Sequence, residues 1–531
     1  MLMVAGKVAP LSKLPVIIVG GGIGGLSCAL DLASSGVEVI LIEKEDQLGG
    51  KIRQLNCSTD PLSPALIDSG PTVFTMRWVF DALFQKAGTT LESEFNITKL
   101  EVLARHAWSK DEQLDLFANI DQSAEAIKAF SSAAEADRFL RFSQQCRKLY
   151  QALEKPYMLS EKPSFGGMIA DLGISGSKAL YEIGLFNTLW KSLGNHFHDP
   201  RLRQLFGRYA TYCGSSPYQA PATLMLIADV EAQGVWAIEG GMYSLVKALG
   251  KLAQDQGVQI MTSQACEEIV IEQGHASGVR LADGRSIQAQ AIIFNGDLAA
   301  LQTGLLNPAS RKALNANMTP PSAIKRSLSA ITWSINAKTE GFPLVRHNVF
   351  FNQDYRAEFD DIFQKQRLPQ KPTVYVCAQD QGDAYQASSN PQRLLCLVNA
   401  PAKGDQSEFN AQEIEACEQE TFGLLQQCGL HIDLDSAICQ RTTPSLFNQL
   451  FPATGGALYG QANHGWMETF GRASAQSPIP GLYLAGGSVH PGPGVPMAAL
   501  SGRMAAATLM DHLGLIKLSG RTLISGGTST L

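Results

Sequence analysis

The feature that most constrains the fold is a G-x-G-x-x-G spacing near the start of the chain, formed by Gly20, Gly22 and Gly25. It follows an apolar run at 16–19, which predicts a strand, and it precedes a helical spacing of apolar residues that stops at Gly36. In such a turn the first glycine permits a tight bend and the second lets backbone approach a pyrophosphate. The third lets helix and strand pack closely. The sequence therefore predicts a βαβ unit suited to a dinucleotide.

A second apolar run at 39–42 predicts the next strand, and it ends on Glu43. A carboxylate at this position accepts hydrogen bonds from two ribose hydroxyls and repels a 2′-phosphate. The start of the intervening helix offers free N–H groups and the positive end of the helix dipole to phosphates. The whole pattern of strand, turn, helix and acid indicates an adenine dinucleotide, but it leaves NAD and FAD both open.

Composition narrows the class of protein. A chain of 531 residues predicts more than one domain, and a net charge of −6 without an arginine-rich arm argues against a nucleic-acid partner. Ten cysteines without a C-x-x-C pair predict free thiols in a reducing compartment, with neither a disulfide framework nor a metal site. The sequence has no apolar run of about 20 residues and no long apolar signal segment. We expect a cytoplasmic protein that has at most peripheral contact with the inner membrane.

The order of patterns predicts an α/β fold in which a discontinuous Rossmann-like domain is interleaved with a mixed α+β substrate domain. We expect the dinucleotide-binding domain at 14–80, 235–298 and 478–513, the substrate domain at 81–234 and 299–477, and a tail at 514–531.

Within these segments, local patterns predict the individual elements. Helices are expected at 124–142, at 180–197 and from Gly240 to Gly257. A strand at 258–261, a small meander around the Asp283-Gly284 turn and a strand at 291–294 are expected to extend the first sheet. Runs at 331–335, 373–377 and 394–399 predict an antiparallel sheet.

A second glycine-rich turn near the C-terminus distinguishes between the two cofactors. An apolar strand runs into Gly486-Gly487, and a helix starts after Val495-Pro496-Met497. This turn can present backbone N–H groups to the N1 and O2 edge of a flavin, which becomes negative on reduction, whereas NAD enzymes have no need of it. Gly49-Gly50-Lys51 adds a close backbone approach beyond Glu43. Taken together, these segments favour FAD.

Four segments, at 67–80, 105–108, 199–217 and 490–497, carry a closer resemblance. Through them the chain resembles the FAD-dependent amine-oxidase and carotenoid-desaturase superfamily, over about residues 14–512. Within it the chain is most similar to the bacterial phytoene dehydrogenase-like branch, and there to the 1-hydroxycarotenoid 3,4-desaturases (methoxyneurosporene dehydrogenases). Gly21 stands where many relatives have alanine, a departure that should not affect binding.

The resemblance implies a set of FAD contacts along the chain. Residues 70–72 and the C-terminal turn are expected near the flavin ring, Val270 near the adenine, and Arg53 where a pyrophosphate needs neutralising. The implied contacts are Gly20, Gly22, Gly24, Gly25, Glu43, Lys44, Gly50, Lys51, Arg53, Gly70, Pro71, Thr72, Val270, Gly487, Val495, Pro496 and Met497.

The resemblance also implies a reaction, in which two hydrogens leave the C3–C4 single bond of a 1-hydroxylated acyclic carotenoid. A hydride passes to flavin N5 and a proton leaves C3, in an apolar tunnel that excludes water. Candidates for the proton acceptor are His464, Glu239 and Tyr212. The electron acceptor, oxygen or a quinone, stays open. An apolar stripe at 179–197 suggests peripheral contact with the membrane that holds the carotenoid.

Three other functions are alternatives. A phytoene desaturase, or another polyene or squalene-type FAD oxidoreductase or isomerase, shares the flavin-facing motifs and differs in the tunnel lining. An amine oxidase requires an aromatic cage at the flavin, which Val495-Pro496-Met497 does not supply. A non-catalytic lipid carrier with a FAD-type fold is the alternative from another class of protein, and the intact flavin-facing segments argue against it.

Overall fold

The computed structural model describes residues 14–164, 166–170, 186–321, 324–382 and 390–516. The strands, in chain order, are β1 Val16–Val19, β2 Val39–Ile42, β3 Gln54–Asn56, β4 Leu66–Asp68, β5 Ile97–Lys99, β6 Val102–Ala107, β7 Gln113–Phe117, β8 Trp236–Ile238, β9 Gln259–Met261, β10 Cys266–Glu272, β11 His275–Leu281, β12 Ser286–Gln288, β13 Ala291–Phe294, β14 Ser329–Ala337, β15 Thr339–Gly341, β16 His347–Phe350, β17 Val374–Ala378, β18 Gln392–Ala400, β19 Leu430–Ile432, β20 Ile438–Thr442 and β21 Leu482–Leu484.

The helices accompany these strands. In chain order they are α1 Ile23–Ala33, α2 Trp78–Lys86, α3 Leu91–Glu94, α4 Ile120–Phe130, α5 Ala133–Leu153, α6 Leu189–His196, α7 Pro200–Gly207, α8 Leu226–Gln233, α9 Tyr243–Asp255, α10 Leu298–Thr303, α11 Pro308–Asn317, α12 Tyr355–Phe363, α13 Ala411–Gln427, α14 Pro444–Leu450 and α15 Val495–His512. A π-helical turn occupies Glu154–Met158, and 3₁₀ turns occupy Arg208–Cys213 and Ala222–Met225.

A five-stranded parallel sheet in the order β21-β13-β1-β2-β9 forms the first layer. The predicted β1-α1-β2 unit is confirmed, and β9, β13 and β21 reach the same sheet from segments more than 200 residues further along the chain. Because the strands are parallel, the carboxyl ends of β1, β13 and β21 meet at one edge. Ligands bind at this edge in open α/β sheets.

Small residues let the elements at this edge approach closely. A Cβ on Gly25 would lie 2.1 Å from the carbonyl oxygen of Gly20, and one on Gly502 of α15 would lie 1.9 Å from that of Gly24. Asn295, which follows β13, donates from Nδ2 to the Gly20 oxygen at 3.0 Å. Helices α1 and α15 and the turn after β1 are therefore packed backbone against backbone.

A second, seven-stranded sheet has the order β20-β14-β18-β17-β16-β6-β7. The predicted runs at 331–335, 373–377 and 394–399 lie in β14, β17 and β18, which pair antiparallel as expected. Two strands of the earlier segment, β6 and β7, complete the sheet, and β6 pairs parallel with β16. The sheet is therefore mixed. The predicted meander is present as β10, β11 and β12, but the expectation that it extends the first sheet is wrong, because these strands form a separate three-stranded sheet.

One helix prediction is wrong and another is only partly described. The run at 124–142 is two helices, because the first ends at its C-cap Ser131, and Ser132 caps the second by accepting from the Glu135 N–H at 3.2 Å. In the run at 180–197, residues 180–185 lie outside the described residues, and helix α6 begins only after Thr188. The domain boundaries expected from the sequence stay a prediction. Within the described ranges, no helix has the length and apolar character needed to cross a membrane.

Candidate active site

A continuous cavity of about 920 Å³ runs from the end of β2 to the space between the two sheets. Its first part is walled by the turn after β1, by Glu43 and by Gly50, and its far part by residues such as Arg208 and Tyr375. This volume is near the upper end of the range for pockets that hold small molecules. We call its first part the cradle, formed by residues 20–24, 43–53, 70–72 and 486–497, and its far part the chamber.

Backbone forms the floor of the cradle. Gly22 is the N-cap of α1, and no side chain of the described residues caps this end. The chain at 49–50 passes alongside, with the Gly49 N–H donating to the Gly21 oxygen at 2.9 Å. A Cβ on Gly50 would lie 3.2 Å from the Gly22 Cα. The uncapped N–H groups at the start of α1 lie beside the glycine-rich backbone at 49–50. This arrangement fits a pyrophosphate.

Glu43, for which the sequence predicts a ribose contact, lines the cavity just after the end of β2. Its carboxylate is 7% exposed, and it accepts from the Gly21 N–H at 2.7 Å and from the Glu45 N–H at 3.0 Å. Each carboxylate oxygen keeps a further lone pair for a ligand hydroxyl. The neighbouring Lys44 also lines the cavity, where its ammonium pairs with Glu45 at 2.6 Å.

Two partly buried cations face the cradle. Lys51 donates from Nζ to the Leu458 oxygen at 2.5 Å, and Arg53 donates from Nη2 to Thr442 Oγ1 at 2.7 Å. Burial lowers the pKa of Lys51, and it lowers the pKa of Arg53 to about 10. A depressed pKa means that the charge of each group is incompletely compensated by the chain. The cations therefore fit an anionic ligand such as the FAD pyrophosphate.

The remaining cradle residues approach through backbone as well. Gly70, Pro71 and Thr72 line the cavity beside Lys51, and a Cβ on Gly70 would lie 1.9 Å from the Lys51 oxygen. The C-terminal turn faces them through four predicted residues, Gly487, Val495, Pro496 and Met497.

Two predicted contacts lie outside the cavity wall. Gly25 is not among the described residues that line it, since Gly25 instead packs against Gly20. Val270 is likewise absent from the lining, because it pairs with Gly278 inside the meander. Cys266, at the start of the same strand, lines the cavity instead.

Of the three proton-acceptor candidates, only Tyr212 lines the cavity. Glu239 is exposed and accepts from Asn96 Nδ2 at 2.6 Å, so its position argues against a role in the reaction. His464 accepts from the Ser216 N–H at 3.3 Å, and burial lowers its pKa to about 4. Neither Glu239 nor His464 is among the described residues of the wall.

Tyr212 belongs to a buried polar cluster that the sequence does not reveal. Its hydroxyl accepts from Arg208 Nη1 at 2.7 Å and donates to Glu231 Oε1 at 2.6 Å. Tyr209 donates to Glu231 Oε2, also at 2.6 Å. Burial, with the negative charge of Glu231, raises the pKa of Tyr212, so this hydroxyl is a neutral hydrogen-bond donor at neutral pH.

A second chain of hydrogen bonds connects the cradle to the chamber. Thr72 Oγ1 lies 2.7 Å from the Tyr375 hydroxyl, which lies 2.7 Å from His347 Nδ1. Burial, together with the positive charges of Arg346 and Arg208, lowers the pKa of His347 to about 3. The imidazole is therefore neutral at pH 7.

Glu358 of α12 is the third polar feature of the chamber. Its side chain is fully buried and accepts from the Thr373 N–H at 3.0 Å and from Asn399 Nδ2 at 2.8 Å. Burial raises its pKa to about 7. A carboxylate with a pKa near neutrality in a cavity wall is suited to proton transfer.

Apolar side chains make up much of the remaining chamber wall. They include Leu153, Met168, Leu224, Ile227, Val349, Leu395 and Leu397. At the outer end the wall includes Trp466, whose ring meets the two-thirds exposed Phe186 edge to face at a centroid distance of 5.2 Å. The chamber therefore suits a long apolar molecule with few polar groups.

Comparison with known proteins agrees with this geometry. The model of the flavin containing amine oxidoreductase family matches residues 23–510, and the chain belongs to this family. The cofactor of the chain is FAD, and the residues of the cradle fit that group.

Two relatives and one solved structure illustrate the range of similarity. The hydroxyneurosporene desaturase of Rubrivivax gelatinosus is 55% identical over 98% of both chains. That of Cereibacter sphaeroides is 42% identical over 94% of this chain and 98% of its own. Cyclohexylamine oxidase from Brevibacterium oxydans has a TM-score of 0.57 at 16% identity, covering 95% of this chain and 100% of that one. At this identity the solved structure shows a common fold alone.

Proposed function

We propose that this protein is a FAD-dependent carotenoid desaturase that introduces the C3–C4 double bond into 1-hydroxylated acyclic carotenoids. The observation that carries the proposal is one cavity that joins a dinucleotide cradle to an apolar chamber with a small polar group of side chains. The relatives named hydroxyneurosporene desaturase, at 55% and 42% identity, support the same substrate class.

The roles of the chain follow from what the reaction requires. FAD, when bound, supplies a hydride acceptor at its N5. Lys51 and Arg53, which line the cavity, would compensate the charge of the pyrophosphate, and residues 70–72 and the C-terminal turn would hold the ring. The apolar wall aligns the polyene and excludes water, which favours hydride transfer over side reactions.

A proton must also leave C3, and Glu358 is the side chain in the wall best suited to accept it. Its pKa, raised to about 7 by burial, leaves a large fraction as carboxylate at neutral pH. Tyr212 is less suited, because its oxygen already accepts from Arg208 while its proton is donated to Glu231. We therefore assign proton acceptance to Glu358 and a supporting position to Tyr212.

The outer end of the chamber is the proposed entry for a substrate that resides in the bilayer. The rim residues Phe186, Trp466 and Met467 form an apolar cluster in which Phe186 is 66% exposed and Met467 is 57% exposed. Aromatic and apolar residues of this kind favour the interface of a lipid bilayer. Co-flotation with liposomes that weakens in the double variant F186S/M467S would support this entry, whereas a native holoprotein that stays with the soluble fraction would contradict it.

The proposed reaction is tested directly with purified, FAD-loaded protein. A 1-hydroxylated acyclic carotenoid, its non-hydroxylated counterpart and phytoene are supplied in separate liposome preparations under anaerobic conditions. We expect the hydroxylated carotenoid to bleach the flavin absorbance and to shift its own absorbance to longer wavelength by one conjugated double bond. Turnover of phytoene would favour the phytoene-desaturase alternative, and binding without bleaching would favour a lipid carrier. Reoxidation by oxygen or by a quinone, compared in the same preparation, identifies the electron acceptor.

A further inference from the structure

A guanidinium in the wall of the chamber has hydrogen-bond donors that the chain does not use. Arg208 is 6% exposed, and its Nη1 donates to the Tyr212 hydroxyl at 2.7 Å. Its Nε and Nη2 are buried and have no hydrogen-bond partner among the residues that the structure describes. Buried donors without an acceptor are costly, so an acceptor from outside the chain is expected at this point of the cavity.

The surroundings of Arg208 indicate the kind of acceptor. The Glu231 carboxylate, 3.8 Å from Nη2, compensates the positive charge, and it is held in place by Tyr209 and Tyr212 at 2.6 Å each. An anion would add a second negative charge to a buried pair that is already neutral. A neutral oxygen, by contrast, accepts from Nε and Nη2 without disturbing this balance.

Arg208 borders the same cavity as the inner end of the cradle. It lines the cavity wall together with Tyr375, whose hydroxyl lies 2.7 Å from Thr72 Oγ1. Thr72 belongs to the backbone segment that we place against the flavin ring. The guanidinium of Arg208 and that segment therefore face one cavity, within a wall that is otherwise largely apolar.

We propose that Arg208 determines substrate specificity by donating from Nε and Nη2 to the C1 hydroxyl oxygen of the carotenoid. This inference rests on the proposed function. Carbon–carbon bonds of about 1.5 Å separate C1 from C4, so the oxygen lies within about 5 Å of the carbon that loses hydride. A donor that holds this oxygen also fixes C3 and C4 against the flavin face. Arg208 is thereby the polar anchor for a molecule that is hydrocarbon elsewhere.

The test compares two substrates in native protein and in three variants. The substrates are a 1-hydroxylated acyclic carotenoid and its counterpart with hydrogen in place of the hydroxyl. The test variant is Arg208→Lys, which keeps the charge beside Glu231 and removes the guanidinium fork. The matched control is Arg503→Lys, because Arg503 is an arginine with an 11% exposed side chain that is also paired with an acid, Asp31, and it is not among the described residues that line the cavity.

Two readouts are taken, equilibrium binding from the shift of the carotenoid absorption band and the ratio of kcat/KM between the two substrates. We expect native protein and Arg503→Lys to prefer the hydroxylated carotenoid in both readouts. Arg208→Lys should reduce that preference by about 10- to 100-fold, with most of the loss falling on the hydroxylated substrate. The double variant R208M/E231Q, which leaves no uncompensated charge, should show the same reduction if Arg208→Lys retains too little FAD to measure.

The outcomes separate the two proposals. A native preference that persists in both Arg208 variants would overturn the role of Arg208 and leave the proposed function standing. Equal losses for both substrates would also overturn it, because they would indicate a structural role only. A native protein without any preference for the hydroxylated carotenoid would overturn the proposed function and this inference together.

Discussion

The cradle presents mainly backbone to its proposed ligand, whereas the chamber presents mainly side chains. In the cradle, backbone at 20–24, 49–50 and 70–72 supplies N–H groups and close approach, and the side chains that face it are few. In the chamber, the proposed recognition depends on side chains such as Arg208, Tyr375 and Glu358, which hydrogen bonds hold in place. Backbone is suited to a group that many proteins share, whereas side chains can differ from one substrate to the next. We therefore expect cradle variants to lose the cofactor, and chamber variants to keep it and lose turnover.

The largest effect is expected from Gly25→Ala. The added Cβ would meet the Gly20 oxygen at 2.1 Å, and backbone on both sides of this contact is fixed by the sheet and by α1. We expect a loss of more than about 3 kcal/mol in the free energy of unfolding, at the upper end of overpacking costs, together with loss of bound FAD. Thermal denaturation and the ratio of flavin to protein absorbance measure both.

Gly423→Ala is the matched control for that variant, since it adds the same methyl group to a helix where nothing lies within 4 Å. Alanine is a better helix former than glycine by about 1 kcal/mol, so this variant should be slightly more stable and should retain FAD. Full flavin content in Gly25→Ala would show that the cradle tolerates displacement of its backbone. It would contradict the expectation that cradle variants lose the cofactor.

The next effect is expected from Glu358→Gln in the chamber. Removing the proposed proton acceptor should lower kcat by about 10- to 100-fold at pH 8 while leaving the flavin content unchanged. In native protein the rate should rise with pH through about 7, because the carboxylate must be ionised to accept a proton. The variant should lose that rise. An unchanged kcat and pH profile would remove Glu358 from the reaction.

Glu358 also predicts a pH dependence of stability. Its folded-state pKa of about 7 lies above its ordinary value of 4.5, so the folded protein binds more protons than the unfolded chain between these values. The stability that this group contributes is therefore complete below about pH 4.5 and is lost as the pH rises through 7. Glu358→Gln should unfold with a smaller decline over the same interval, which thermal denaturation in a pH series would show.

A smaller effect is expected from Tyr375→Phe. This change removes the hydroxyl that connects Thr72 and His347 and leaves the ring packed in the chamber. Since the hydroxyl orients groups at the boundary between cradle and chamber, we expect kcat to fall about 3- to 10-fold with little change in KM. Tyr483→Phe is the control, since it removes a hydroxyl that lies 2.6 Å from His512 Nδ1 and keeps the ring, at a position that is not among the described residues lining the cavity. Equal losses in both variants would point to general loosening of the fold.

The same contrast explains what the sequence could predict. The cradle could be predicted from the sequence because each of its parts is a local motif. A glycine spacing, a strand end or a turn identifies each part within a few residues. Gly25 and Val270 are the exceptions. Gly25 packs against Gly20, and the assignment of Val270 depends on how far the meander reaches into the cavity, where the structure brings Cys266 instead.

The chamber was largely hidden because its contacts join distant segments. Thr72 and Tyr375 are 303 residues apart, and they meet only through the order of strands in the mixed sheet. No periodicity encodes the parallel pairing of β6 with β16 on which this order depends. One feature of the sequence does indicate the role of Arg208. It is a charged residue within the apolar stretch 205–213, and a charge in such a stretch must be buried with a partner.

The smallest effect is expected from His464→Ala. This variant tests whether a residue outside the described chamber wall leaves turnover unchanged. Its ring packs edge to face on Phe363 at a centroid distance of 4.7 Å and accepts from the Ser216 N–H, outside the described lining of the cavity. We expect His464→Ala to cost about 1–2 kcal/mol of stability, because it leaves a buried N–H without an acceptor. The kcat of the folded, FAD-loaded variant should stay within about twofold of native, because no interaction confined to the transition state is removed. A loss of kcat comparable to that of Glu358→Gln would place the reacting carbons near residue 464 and enlarge the chamber beyond the wall described above.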